Sequence, residues 1–143
     1  MRKILIVATL LATCASFTAA HALDSGTAAP VVVTPVKTTA VTATGQPLVL
    51  PRENVEVTAS IYDIAPGATL PVHKHPFARY GYVLAGTLEV TNVDTGKRDV
   101  YKTGDFIVEM IDQWHQGSNV GADPVKLLVI DQIEAGAQAT VLK

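Results

Sequence analysis

From Asn54 onward the chain is written in period two. Val55, Val57, Ala59 and Ile61 alternate with polar neighbours, and Pro66-Gly67 ends the run. Similar short runs follow, each closed by turn residues: Tyr80–Ala85, Thr87–Val93, Val100-Tyr101, Phe106–Ile111 and Pro124–Ile133. Asp94-Thr95-Gly96-Lys97 and Thr103-Gly104-Asp105 supply turns in which glycine takes up positive φ at little cost. No window of about 10–15 residues in this region keeps a helical period. Alternation places successive side chains on opposite faces of a sheet, so many short strands at this spacing predict an all-β domain, a jelly-roll sandwich or barrel. The strand pattern bounds that domain at about residues 52–134, with a C-terminal tail at 135–143.

The N-terminus belongs to a different category. Arg2 and Lys3 precede the apolar run Ile4–Ala12, and Ala20-His21-Ala22 has the small-x-small form of a signal-peptidase site. The run falls well short of the roughly 20 residues a membrane span needs. Residues 1–22 are therefore expected to be a signal peptide, with a periplasmic or secreted mature chain and no membrane span after processing. Removing 22 of the 143 residues leaves 121, enough for one core and too few for two comfortable domains. The charge becomes 9 basic residues (11 less Arg2 and Lys3) against 13 acidic. No basic stretch exceeds Lys97-Arg98, so nucleic acid and anionic membrane have no electrostatic handle. The sole cysteine, Cys14, falls in the signal. Residues 23–51 read as a leader, flexible to Pro30, with Val31–Val33 and Val41–Thr44 as candidate edge strands kept short by Pro30, Pro35 and Pro47. Such a valine-rich segment could pair with a neighbour's sheet edge, which makes a homodimer an expectation.

Every histidine of the mature chain falls into one pattern: His73-Lys74-His75, then His115. Histidines one residue apart on a strand face the same way, and His115 reaches them only if its strand lies alongside theirs. A small barrel arranges this, and neutral imidazole is the commonest protein ligand for transition metals. One divalent ion (Fe, Mn, Ni, Cu or Zn) is the cofactor expected. The competing view is three polar histidines hydrogen-bonded at a barrel mouth.

Gly67-x5-His73-x-His75-x3-Arg79-x6-Gly86 resembles the first cupin motif at every spacing, and Gly104-x5-Met110-x-Asp112-x2-His115-x3-Asn119 has the spacing of the second. Two family positions differ in the second motif, where Met110 and Asp112 replace the usual proline and glycine. Arg79 stands where the family often carries a glutamate ligand. The resemblance implies a small single-domain cupin barrel over about residues 55–133. Similarity to three-histidine cupin dioxygenases, which also lack that glutamate, implies a metal with open coordination.

Arg79 cannot ligate a cation. Either it grips a substrate anion beside the metal, which would make it the catalytic candidate, or it forms a structural ion pair. Glu109 is the replacement metal ligand in sequence terms. Strict alternation in Phe106–Ile111 puts Phe106, Val108 and Met110 inward and Glu109 outward, unless a bulge reverses it. Trp114, Tyr80, Tyr82 and Phe77 are candidates for the cavity mouth, and Asp112 and Gln113 for orienting His115. Asn119 is expected to shape a turn. Two functional classes follow: a mononuclear metalloenzyme, dioxygenase- or isomerase-like, acting on a small and in one version anionic organic molecule, or a small-molecule binding module without turnover.

Overall fold

The computed structural model describes residues 31–143. The expected signal peptide and the first part of the leader lie outside the described residues. Pro35–Lys143 forms one compact unit built from nine strands. They are β1 (Val55–Ile64), β2 (His73–Lys74), β3 (Arg79–Ala85), β4 (Thr87–Asn92), β5 (Arg98–Lys102), β6 (Phe106–Val108), β7 (His115–Asn119), β8 (Val125–Glu134) and β9 (Val141–Leu142). Two antiparallel sheets result, with orders β1-β8-β3-β6 and β5-β4-β7-β2-β9. Sequence neighbours such as β3 and β4 lie in different sheets, which is the jelly-roll crossing. Among the described residues no helix is long and apolar enough to cross a membrane.

Alternation decides what β8 buries, whereas β1 leaves its apolar set Val55, Val57 and Ile61 exposed. Val125, Leu127, Val129, Asp131 and Ile133 of β8 are buried while Lys126 is exposed. Leu88 and Val90 of β4 meet Val125, Leu127 and Val129 from the other sheet in one apolar cluster with Val83, Ile107 and Met110. Gly86 turns the chain between β3 and β4 at φ 83°, and a Cβ there would lie 2.7 Å from the Pro124 carbonyl oxygen. Only glycine fits both the angle and the approach.

Three expectations need correction. Val31–Val33 is exposed and pairs with nothing among the described residues, and Val41 makes only a bridge to Pro47. The flanking prolines withhold the donors a ladder needs. The turn that Val41 starts is nonetheless useful, because Ala43 N–H donates to Val108 O (2.8 Å) and Gln46 Nε2 donates to Ile111 O (2.8 Å). The tail beyond Glu134 is not separate from the barrel: β9 pairs with β2, and Lys143 N–H donates to Val72 O. Finally, β6 stops at Val108, and Ile107 rather than Phe106 enters the shared core, while Val108 and Met110 are buried as read from sequence. Ile107 opposes Gly81 of β3, whose missing side chain leaves room for it inside. Phe106 faces outward instead, stacked on Tyr80 at 6.1 Å between centroids.

Candidate metal centre

His73 of β2 pairs directly with His115 of β7, so the two imidazoles that lie far apart in sequence stand side by side. His75 follows two residues after His73, bridged to Ile111 in parallel. The three ring centroids form a near-equilateral triangle with sides of 4.5, 4.8 and 4.9 Å. All three histidines are buried, His75 completely.

Each ring is held the same way. His73 Nδ1 donates to Pro71 O (2.7 Å), His75 Nδ1 to Ala139 O (2.9 Å) and His115 Nδ1 to Gln113 O (2.8 Å). A carbonyl can only accept, so in the neutral ring the proton sits on Nδ1 and the Nε2 lone pair is left bare. Gln113 thus orients His115, through its main chain. Asp112 instead pairs with Lys74 at 2.7 Å and takes φ 58°, a left-handed angle at the position where the motif usually carries glycine.

Glu109 enters this triangle, against the outward placement that strict alternation implied. With β6 in its observed phase, Ile107 and Glu109 share the inward face, and Glu109 N–H donates to Arg79 O (2.9 Å). Met110 is buried too, because the strand has ended and the chain turns. Glu109 Oε2 lies 3.1 Å from His75 Nε2 and 3.2 Å from His115 Nε2. The His115 separation is also within hydrogen-bonding distance, but a bare Nε2 and an ionised carboxylate share no proton, so the two stand as neighbouring ligand atoms rather than as donor and acceptor. The His75 contact is close but wrongly angled, so its fully buried Nε2 has no hydrogen-bond partner among the described residues. Buried polar atoms are rarely left so.

These donors fit a divalent transition metal. Ligand atoms of His73, His75, Glu109 and His115 all lie within 4.8 Å of one another. Two ligands each ~2.1 Å from one ion and at right angles stand ~3.0 Å apart, close to the Glu109–histidine separations. Protonation agrees. Burial pushes His73 down to about 4, against the pull of its bond to the Pro71 carbonyl, so the ring is neutral at pH 7. Burial alone would raise the Glu109 carboxyl, but the His115 and His75 contacts and the Arg79 charge outweigh it and hold it well below the usual range. Three imidazoles, each with its Nδ1 turned to a carbonyl, and one carboxylate are a nitrogen–oxygen donor set for a first-row ion.

The Cupin domain family profile matches residues 60–131, half of the chain and both histidine-bearing strands. The chain belongs to the cupin family. No curated protein matches it. Among solved structures, an uncharacterized double-stranded β-helix protein from Klebsiella pneumoniae is similar at TM-score 0.52 and 23% identity, over 67% of this chain and 80% of that one. Oxalate decarboxylase from Lactobacillus farciminis aligns at TM-score 0.51 and 23% identity over 60% of this chain, which spans only 26% of that protein's length. A polyketide cyclase from Streptomyces resistomycificus aligns at 0.51 and 20%, over 61% of each chain. These likenesses establish the shared fold.

In this cupin Arg79 sits on β3 with its Nε donating to Asp131 Oδ1 (2.6 Å) and its Nη2 to Asp131 Oδ2 (3.0 Å) and Thr140 Oγ1 (2.8 Å). The fork that would hold a substrate carboxylate is already occupied by a buried side-chain carboxylate. Asp131, Thr140 and Ala139 are the residues that sequence reasoning missed. Asp131 was findable, since it occupies an inward slot in the alternation of β8 and a buried charge demands a partner. Tyr80 and Tyr82 lie on the outer sheet face beside Phe106, Trp114 lies under Lys74 and Lys143, and Phe77 lines an outer groove, so none reaches the cavity beside the donors. Tyr62 does. Asn119 donates to Ile64 O and Asp123 O and accepts from Gly121 N–H, which fixes a turn.

Proposed function

We propose that this cupin is an exported mononuclear metalloprotein, held by His73, His75, His115 and Glu109, that binds and transforms a small molecule at the ion. The observation that carries this reading is the convergence of three oriented Nε2 atoms and one ionised carboxylate, with the buried Nε2 of His75 lacking a hydrogen bond. The N-terminal basic and apolar segment supports export. A bound ion would supply Lewis acidity and, if redox-active, electron transfer.

The chain's own residues do the rest. Pro71, Ala139 and Gln113 carbonyls hold the rings in the tautomer that keeps Nε2 free. Glu109 contributes the one negative charge of the donor set. Arg79 is a positioning residue: it lies beside Glu109, stabilises the carboxylate form and ties β3 to β8 and the C-terminal segment. The apolar walls exclude water, which strengthens electrostatic interactions inside.

The test is dioxygen uptake and product formation by the metal-loaded protein across a panel of small organic acids. The reading expects turnover that disappears in His75→Ala while the β-sheet circular dichroism persists. A ligand retained unchanged, with no turnover under any metal, would make the protein a binding module instead.

A further inference from the structure

The cavity against His73, Glu109 and His115, three of the four donors, is very small. It holds about 20 Å³ of space for the centres of water-sized groups, room for about one water. The grooves on the outside of the barrel are more than ten times larger, at 260–370 Å³, and none of them contains a donor residue. The walls of the inner cavity come from both sheets: Leu127 and Val129 of β8, Leu88 and Val90 of β4, and Leu70 from the loop before β2. Apart from the donors, its polar groups are Tyr62 and Arg79.

Leu70 is a fixed wall. Its N–H donates to Gly117 O (2.8 Å), and its carbonyl accepts from Gln116 Nε2 (3.0 Å), so both sides of the residue are tied to β7. Gly117 lies two residues after His115, on the same face, and makes room for it. A Cβ at Gly117 would stand 3.3 Å from Leu70 Cδ1 and 3.6 Å from Leu88 Cδ1. The space left by the missing side chain is therefore already filled by the two leucines.

Charge narrows the choice further. A divalent ion with Glu109 carries one net positive charge, which a single monoanion neutralises. The charge of Arg79 is balanced by its own partner, Asp131, and its fork is not open to a ligand. A second negative charge would find, beyond the donors, only Tyr62 and the already paired Arg79 among otherwise aliphatic walls, which disfavours its burial.

We propose that the exogenous position on this centre takes only ligands of no more than about three non-hydrogen atoms, neutral or singly negative, and that Leu70 and Leu88 set the limit. Dioxygen-sized diatomics and triatomic monoanions meet it; a benzoate- or dicarboxylate-sized molecule does not. The inference rests on the metal reading above and specifies what that site admits.

The experiment uses the full mature chain loaded with Co(II), whose visible absorption reports coordination, titrated with azide and with benzoate. Azide is expected to shift the spectrum saturably, and benzoate to bind at least 100-fold more weakly. Leu70→Ala and Leu88→Ala should each strengthen benzoate binding by 10-fold or more. Gly117→Ala, which should fold where a leucine truncation does not, should weaken azide by about 10-fold by pushing Leu70 inward. Cobalt stoichiometry is measured in every sample. Failure to bind cobalt, or binding indifferent to His73→Ala, overturns the metal reading itself. Cobalt held by the four donors with benzoate binding as well as azide, or with neither binding, overturns the size limit alone.

Discussion

Arg79→Ala separates a structural arginine from a substrate-binding one. Arg79 is 4% exposed and Asp131 7%, and they are joined by bonds of 2.6 and 3.0 Å. Alanine removes the cation and leaves Asp131 buried with its charge uncompensated, facing the same interior as Glu109. Breaking a buried pair in this way costs about 3–5 kcal/mol. Loss of the Thr140 partner acts in the same direction. For a unit of this size, about 4 °C of melting temperature per kcal/mol translates the lower bound into a fall of at least ~12 °C. The double variant Arg79→Leu/Asp131→Leu, which removes both charges and keeps apolar volume, should recover most of the loss. The assay is urea and thermal unfolding followed by circular dichroism at pH 7 on the metal-free protein. A loss below ~1 kcal/mol for Arg79→Ala, the range of an exposed pair, would refute the reasoning. It would return Arg79 to the role of a free anion-gripping group.

Acid should destabilise the metal-free protein. His73 titrates near its ordinary 6.5 when unfolded and is lowered to about 4 when folded. Between those values the unfolded chain binds the extra proton, so stability falls as pH drops, by roughly 3 kcal/mol in all. Glu109, depressed when folded, adds a further loss as pH falls below the normal carboxylate range. Urea midpoints at pH 7 and pH 5 check this, and His73→Gln should flatten the difference. Truncation after Gln138 removes the carbonyl that orients His75 together with Thr140 and β9; it should lower metal affinity by about 10–100-fold or more, measured by competition with a chelator.

Much of this was legible in the residues. The bounds of β1, Val55–Ile64, agree with the strand legible there, although its apolar set Val55, Val57 and Ile61 is exposed, and Gly96 takes the positive φ assigned to it as a turn residue. The one-residue spacing of His73 and His75 required a partner strand for His115, and β2 and β7 pair at those very residues. What failed depended on phase and on distance along the chain. Strand β6 is only three residues long, too short for its own pattern to say which side is inside. Its pairing with β3, which sets Ile107 opposite Gly81, supplies what the strand's own pattern lacks. That one difference moved Glu109 from the surface to the centre. The roles of Ala139 and Thr140 were invisible because a main-chain carbonyl carries no sequence signature, and a two-residue strand such as β9 has no period to read.

The most direct test of the central claim is the metal content of the exported, tag-free protein. Wild type should carry about one equivalent of a single transition metal, and His75→Ala and Glu109→Gln should each lose it while remaining folded. Wild-type protein that holds no metal after reconstitution with Fe, Mn, Ni, Cu and Zn in turn, or variants that retain it in full, would contradict the account.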